Sequence, residues 1–268
     1  MGSCCAKPVE AIVGSYAFAP QEPTYTKDQV ALWIETSSGT KLPAFHIDRG
    51  EDLTLLLSHS NAEDLGTVLE RWDALSRELR VNVFAYEYSG YGQSDGAPPS
   101  VASLRRDAEA AFRMLVDVFK LTPESDIVLH GTSIGSYPTC FLASRHAVRG
   151  VIICSGFASA ARLTSFGSLL RFADSLALDN LSLLKQSVSP VQIVHGSADK
   201  MVPVSNGQAL HAACSVKGNH PCPPAWIEGA THNNMYDVES GIAKAHTASL
   251  RAFREHLLAN PPEKKAPD

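Results

Sequence analysis

Long apolar runs are missing from this chain. Nothing approaches the roughly 18 consecutive apolar residues of a membrane-spanning helix, so no transmembrane segment is expected. Excess positive charge is missing too: 23 Lys and Arg stand against 28 Asp and Glu, a net charge of -5, which lacks the electrostatic footprint of a nucleic-acid binder. Cysteine is sparse. Six cysteines in 268 residues, two of them adjacent near the start, do not form the pattern of a disulfide framework and point to a reducing, cytosolic compartment. The N-terminus also lacks the continuous apolar segment and small-residue ending of a secretory signal. What is present is ordinary for a globular protein, with 44% hydrophobic and 19% charged residues in a chain long enough for one large core.

The chain is organised around Ile127-Val128-Leu129-His130-Gly131-Thr132-Ser133-Ile134-Gly135. This apolar run is too short and too β-branched for a buried helix, so it reads as a strand packed on both faces. Ser136 to Arg145 reads as a helix directly after it. Ser133 then stands at the tip of a strand-to-helix turn, where Gly131 and Gly135 let the two elements approach and the serine takes a costly backbone conformation. In this setting Gly-x-Ser-x-Gly is the nucleophile elbow of an α/β-hydrolase; alone, the motif is equally a turn without chemistry. Leu53–His59, Val81–Tyr86, Val151–Cys154, Val191–His195 and Ala225–Glu228 read as further strands, and Val30–Thr36 with Leu42–Ile47 as a leading hairpin. Helical stretches are expected at about Glu63–Leu79, Ser100–Phe119 and Glu239–Leu258. The fold class is α/β: an α/β-hydrolase fold with a mostly parallel sheet, helices on both faces and a small cap insertion within Phe157–Ser189.

Ligands in such sheets gather at the carboxyl ends of the strands. Asp199, in His195-Gly196-Ser197-Ala198-Asp199, follows a strand directly; Asp174, Asp179 and Asp237 compete for its place, but none follows a strand. His232 lies in the loop after the last strand. Ser133, Asp199 and His232 thus complete the chain order Ser, Asp, His, the set in which a carboxylate orients an imidazole that activates a hydroxyl. Purely structural roles for these positions are a turn former at 199 and a core histidine at 232. The expected oxyanion donors are the backbone N–H groups of Ile134 and of Asn61, in the loop after the strand that ends at His59. His59 itself reads as a core histidine that holds this loop. The Gly- and Tyr-rich loop Glu87–Ser94 lines the pocket or simply turns tightly. In the insertion, Leu163, Phe166, Leu169 or Leu170, Ala173 and Leu176 either finish the core or offer a shallow groove to an acyl chain. His211, Cys214, His220 and Cys222 match no paired-cysteine zinc spacing and are interrupted by Pro221, so this stretch reads as a solvent-exposed loop. Neither a metal nor a cofactor is expected.

Met1-Gly2-Ser3-Cys4-Cys5-Ala6-Lys7 exposes Gly2 for N-myristoylation once Met1 is removed, with Cys4 and Cys5 beside it for S-palmitoylation. The myristoylation pattern prefers Ser or Thr where this chain has Ala6. One myristoyl chain binds a membrane only marginally, and a second acyl group makes the attachment stable. The same residues also read as a frayed terminus with two idle thiols. The expected plan is an acylatable anchor and Pro-rich connector over 1–25, a hydrolase domain over 26–258 and a polar tail over 259–268. A peripheral position on the cytoplasmic side of the plasma membrane or endomembranes follows from the anchor.

Together, Ser58-His59-Ser60-Asn61-Ala62-Glu63-Asp64-Leu65-Gly66, Tyr88-Ser89-Gly90-Tyr91-Gly92, the elbow, His195-Gly196-x-x-Asp199 and Glu228-Gly229-Ala230-x-His232-Asn233 resemble the ABHD17-like α/β-hydrolases. The likeness spans about Ala17 to Leu258. It implies a cytoplasmic, membrane-anchored serine hydrolase that removes palmitate from protein cysteines, with S-acylated proteins as its partners. Three positions depart from the family pattern: Glu87 replaces an Asp, Thr132 a Gln, and Ser60 the Gly that usually follows His59. The last bears on the direction of the Asn61 N–H. Two alternatives stand beside the thioesterase: a lipid esterase or monoacylglycerol lipase using the same triad, and a catalytically silent membrane scaffold that keeps the fold but not the oxyanion hole.

Overall fold

The structure is a computed structural model, and its description covers residues 18–96, 98–160, 178–214 and 222–262. Eight strands form one sheet: β1 (Leu32–Glu35), β2 (Lys41–Ile47), β3 (Thr54–Ser58), β4 (Asn82–Tyr86), β5 (Ile127–Thr132), β6 (Gly150–Cys154), β7 (Val191–Gly196) and β8 (Ala225–Ile227). Their order is β1-β2-β4-β3-β5-β6-β7-β8. β2 pairs antiparallel with β1 and β4, and every other neighbouring pair is parallel. The carboxyl ends of β3 to β8 therefore share one edge. This is the α/β-hydrolase fold.

The continuous apolar runs become strands covered on both faces. β3, β4 and β6 are buried along their whole length, and alternate residues enter two cores. Ile127 and Leu129 of β5 and Val151 and Ile153 of β6 pack on one side, with α2 (Val101–Arg113) and α4 (Ser136–Arg145). Val128, Ile152 and Cys154 pack on the other, with α1 (Leu65–Leu79) and α7 (Ile242–Ala259). Each fully buried Leu, Ile or Val contributes about 1.5–3 kcal/mol relative to exposure. The remaining helices are the short α3 (Pro123–Asp126), α5 (Asn180–Leu184) and α6 (Ser205–Cys214).

Helix ends differ from the sequence expectation for identifiable reasons. α1 begins at Leu65 rather than Glu63 because Asp64 is its N-cap, accepting from the Thr67 N–H at 3.1 Å. Ser100 caps α2 in the same way, accepting from the Ser103 N–H at 3.0 Å. The helix expected to reach Phe119 changes at Met114 into one turn of π-helix, Met114–Val118. The exposed loop expected over His211 to Cys222 is corrected: His211 and Cys214 lie on α6, and Cys214 and Cys222 are buried. Leu210, Ala213 and Cys214 turn inward there, and the Cys214 thiol donates to the Leu210 carbonyl at 3.2 Å. His220, the apolar stripe from Leu163 to Leu176, and the acylation candidates Gly2, Cys4 and Cys5 lie outside the described residues. Among the described residues, no helix is long and apolar enough to cross a membrane.

Candidate active site

Ser133 sits where β5 ends and the chain turns into α4, with φ of 53°, a left-handed backbone for a residue with a side chain. The surrounding packing enforces that strain. A Cβ on Gly131 would collide with the Gly135 carbonyl, and a Cβ on Gly135 would collide with the Ser58 carbonyl at the end of β3. The two glycines thus press the turn, Ile134 included, against the β3 end from which the Asn61 loop departs.

Asp199 is delivered by the loop after β7 and His232 by the loop after β8. The two loops are bound to each other: the Ser197 N–H donates to the Ile227 carbonyl at 2.9 Å and the Ala198 N–H to the Ala230 carbonyl at 2.9 Å. Gly196 is required at this crossing, because a Cβ there would strike the Ala230 carbonyl. The three side chains converge. His232 Nδ1–H donates to Asp199 Oδ2 at 2.8 Å, and Ser133 Oγ–H donates to His232 Nε2 at 2.9 Å. Asp199 Oδ1 accepts from the N–H groups of Met201 at 2.9 Å and Val202 at 2.8 Å. Asp199 is therefore both turn former and imidazole partner, one oxygen for each task. Burial opposes its ionisation, but the His232 hydrogen bond, the Val202 N–H and the neighbouring imidazoles outweigh that and hold its carboxyl below the usual range.

Residues without a sequence-assigned role complete the surroundings. His195 is buried, donates from Nε2 to the Val202 carbonyl at 2.8 Å and lies 3.6 Å from Asp199 Oδ2. Burial lowers its pKa, so it packs beside the carboxylate as a neutral ring. Gly207 of α6 makes room for it: a Cβ there would lie 2.7 Å from His195 Nδ1. Its position immediately before Gly196 is the only sequence signal it gives.

The Asn61 loop is held from several directions. Asn61 Oδ1 accepts from Tyr91 O–H at 2.5 Å and from the Ala19 N–H at 2.9 Å. Burial raises the Tyr91 pKa, so its hydroxyl stays protonated and donates. Tyr88 and Tyr91, from the Gly- and Tyr-rich loop, are buried against the His59 ring, so the loop is a floor under Asn61. The backbone at Ser60 stays out of the left-handed region, so a serine there introduces no strain of that kind. Its N–H donates to Glu63 Oε2 at 3.1 Å. Among the described residues no group of three or more His, Cys, Asp or Glu side chains could hold a metal ion.

No protein-family model matches the chain. It is 31% identical over 286 residues to human Alpha/beta hydrolase domain-containing protein 17B, covering 96% of this chain and 95% of that protein. The corresponding values for protein 17C of Xenopus laevis are 31% over 302 residues, 96% and 93%. Among solved structures, the Pyrococcus furiosus esterase Pf2001 superposes with a TM-score of 0.68 at 18% identity, over 89% of this chain and 98% of that one. Est1E from Butyrivibrio proteoclasticus, solved with ferulic acid bound, gives 0.65 at 19% identity, over 86% and 100%. These two share its fold.

Proposed function

Since this chain belongs to the Alpha/beta hydrolase domain-containing protein 17 family, we propose that it is a serine hydrolase that cleaves S-palmitoyl thioesters from membrane-associated proteins. The observation that carries the reading is the continuous relay from Ser133 Oγ through His232 to Asp199, with both hydrogen bonds under 3 Å.

In the first step Ser133 Oγ attacks the thioester carbonyl while its proton passes to His232 Nε2, and Asp199 stabilises the resulting imidazolium. The N–H groups of Ile134 and Asn61 receive the oxyanion. Collapse expels the cysteine thiolate, which takes the proton from His232 and leaves readily because its parent thiol has a pKa of about 8.5. Water then gives a proton to His232 and attacks the acyl-enzyme carbonyl; as the ester bond to Ser133 breaks, His232 returns that proton to Ser133 Oγ and the fatty acid is released. A triad of this kind serves oxygen esters as well, so preference for a protein thioester rests on presentation. Acyl groups on Gly2, Cys4 and Cys5 supply it in this reading, holding enzyme and substrate on one cytoplasmic membrane face at high effective concentration. Residues 1–17 span at most about 60 Å when extended, and they lead into Ala19, which is bonded to the Asn61 loop. The anchor thus joins the folded domain beside the Asn61 loop.

The test is turnover of a fluorogenic S-palmitoyl peptide, compared with a monoacylglycerol, by the parent and Ser133→Ala proteins. Ser133-dependent thioester cleavage in excess of glyceride cleavage is expected. The reverse preference makes the protein a lipid esterase, and no Ser133-dependent turnover of either makes it a silent scaffold.

A further inference from the structure

His59 and Glu87 form a buried pair beneath the Asn61 loop, and the reaction above gives neither of them a step. Their side chains are 1% and 0% exposed. His59 Nε2 lies 3.1 Å from Glu87 Oε2, an ion-pair contact bent away from hydrogen-bond geometry, and Nδ1 lies 2.8 Å from the Ser60 carbonyl oxygen. Each ring nitrogen faces an oxygen. A neutral imidazole has a single N–H, so with an ionised Glu87 it would set a bare lone pair against one of them.

Burial alone favours the neutral ring, but Glu87, the Ser60 carbonyl and Glu63 outweigh it and hold His59 above its usual range. Glu87 is itself held from the other side. Its Oε1 accepts from Tyr25 O–H at 2.9 Å and from the Leu65 N–H at 2.8 Å. Tyr88 stacks on the His59 ring at 4.2 Å and donates to the His59 carbonyl at 2.8 Å, so the ring is fixed in place.

The Ser60 carbonyl and the Asn61 N–H belong to one planar peptide unit. Charge drawn toward the oxygen strengthens the N–H as a donor, because hydrogen bonds in a chain polarise one another. We propose that His59 is a positioning residue: as an imidazolium balanced by Glu87, it fixes and polarises the Ser60–Asn61 peptide, so that the Asn61 N–H meets the developing oxyanion as a strengthened donor. The proposal rests on the acyl-transfer reading, in which that N–H is one of two oxyanion donors. The preceding His59–Ser60 peptide is held as well, its Ser60 N–H donating to Glu63 Oε2 at 3.1 Å.

Glu87→Gln separates the charge from the hydrogen bond. The amide keeps an acceptor for Tyr25 and Leu65 while turning an N–H toward His59, which leaves Nε2 bare and Nδ1–H still bonded to Ser60. In full-length protein turning over the S-palmitoyl peptide, kcat is expected to fall about 10-fold, against roughly 10²–10³ for loss of a whole oxyanion donor. KM is expected to stay within about twofold, because the lost interaction is made only in the transition state. Nitrogen-15 NMR near neutral pH is expected to show both His59 ring nitrogens protonated in the parent and one in Glu87→Gln. A folded Glu87→Gln protein with the parent kcat overturns the proposal. A single ring proton on His59 in the parent overturns it too, whether or not the variant folds. If the parent has no Ser133-dependent turnover, the acyl-transfer reading falls and takes the proposal with it. The ring-proton count reports separately on His59.

Discussion

Ser133, Asp199 and His232 each stand at the end of a different strand and meet through two hydrogen bonds of 2.9 and 2.8 Å. The Asn61 loop, at the end of β3 against which the same elbow packs, is held quite differently: Ala19, Tyr25, Glu87, Tyr88 and Tyr91 reach it or its supports from two separate parts of the chain. In the proposed reaction the acid-base half of the site is thus set by sheet topology, and the oxyanion half by a buried polar web. A site of this kind loses chemistry outright when a triad member is removed and loses alignment by degrees when the web is cut.

The largest effect tests the first half. Ser133→Ala is expected to lower turnover about 10⁶-fold, as loss of a nucleophile that works as a unit with its base does, and a substrate assay alone checks it. Asp199→Asn is expected to follow at about 10⁴-fold, because the amide leaves the fold intact but favours the wrong His232 tautomer. If Asp199→Asn kept most of the parent kcat, the carboxylate would be only the turn former that its Oδ1 already is.

Acid stability sharpens the contrast between buried histidines. His59 faces a carboxylate, whereas His130 and His246 face Cys154 Sγ at 3.5 and 3.7 Å. Burial, with the ring of His246 adding to it, lowers the His130 pKa to about 3, and burial lowers that of His246 to about 4. Both are depressed below the ordinary value of 6.5, so the unfolded chain takes up protons that the folded one refuses. Their contribution is intact above about pH 6.5 and is lost as pH falls toward the folded values, by at most about 1.4 kcal/mol per pH unit for each ring. His59 has the opposite sign: its raised value contributes stability at low pH that is lost as pH rises through the folded value. Urea unfolding at about pH 7 and pH 5 is expected to show a loss on acidification that His130→Gln with His246→Gln reduces. An unchanged loss in that double variant would assign it to other groups.

The smallest effect lies in the web. Tyr91→Phe removes the donor to Asn61 Oδ1, and a single hydrogen bond of about 1 kcal/mol predicts a roughly fivefold fall in kcat with KM little changed. An equal change in kcat/KM through KM alone would place Tyr91 in substrate binding instead.

The same contrast explains what the sequence reveals. Each triad member carries a local mark: Ser133 its two glycines, Asp199 and His232 their places just past apolar strands. The sheet is legible for the same reason, since runs buried on both faces leave little choice. The web has no such spacing. Nothing near His59 in sequence says that Glu87 will neutralise it or that Tyr25 will hold Glu87, so His59 reads as a core histidine without its charge. α6 was hidden by its His211 and Cys214, which with the prolines that follow suggest a loop until Leu210, Ala213 and Cys214 are seen turning inward together.

The most direct measurement is to locate the adduct of a fluorophosphonate probe by peptide mass spectrometry in the parent and in His232→Ala. The account predicts a stoichiometric adduct on Ser133 of the parent and strongly slowed labelling without the imidazole. An adduct on another residue, or labelling of Ser133 at the parent rate in His232→Ala, would contradict it.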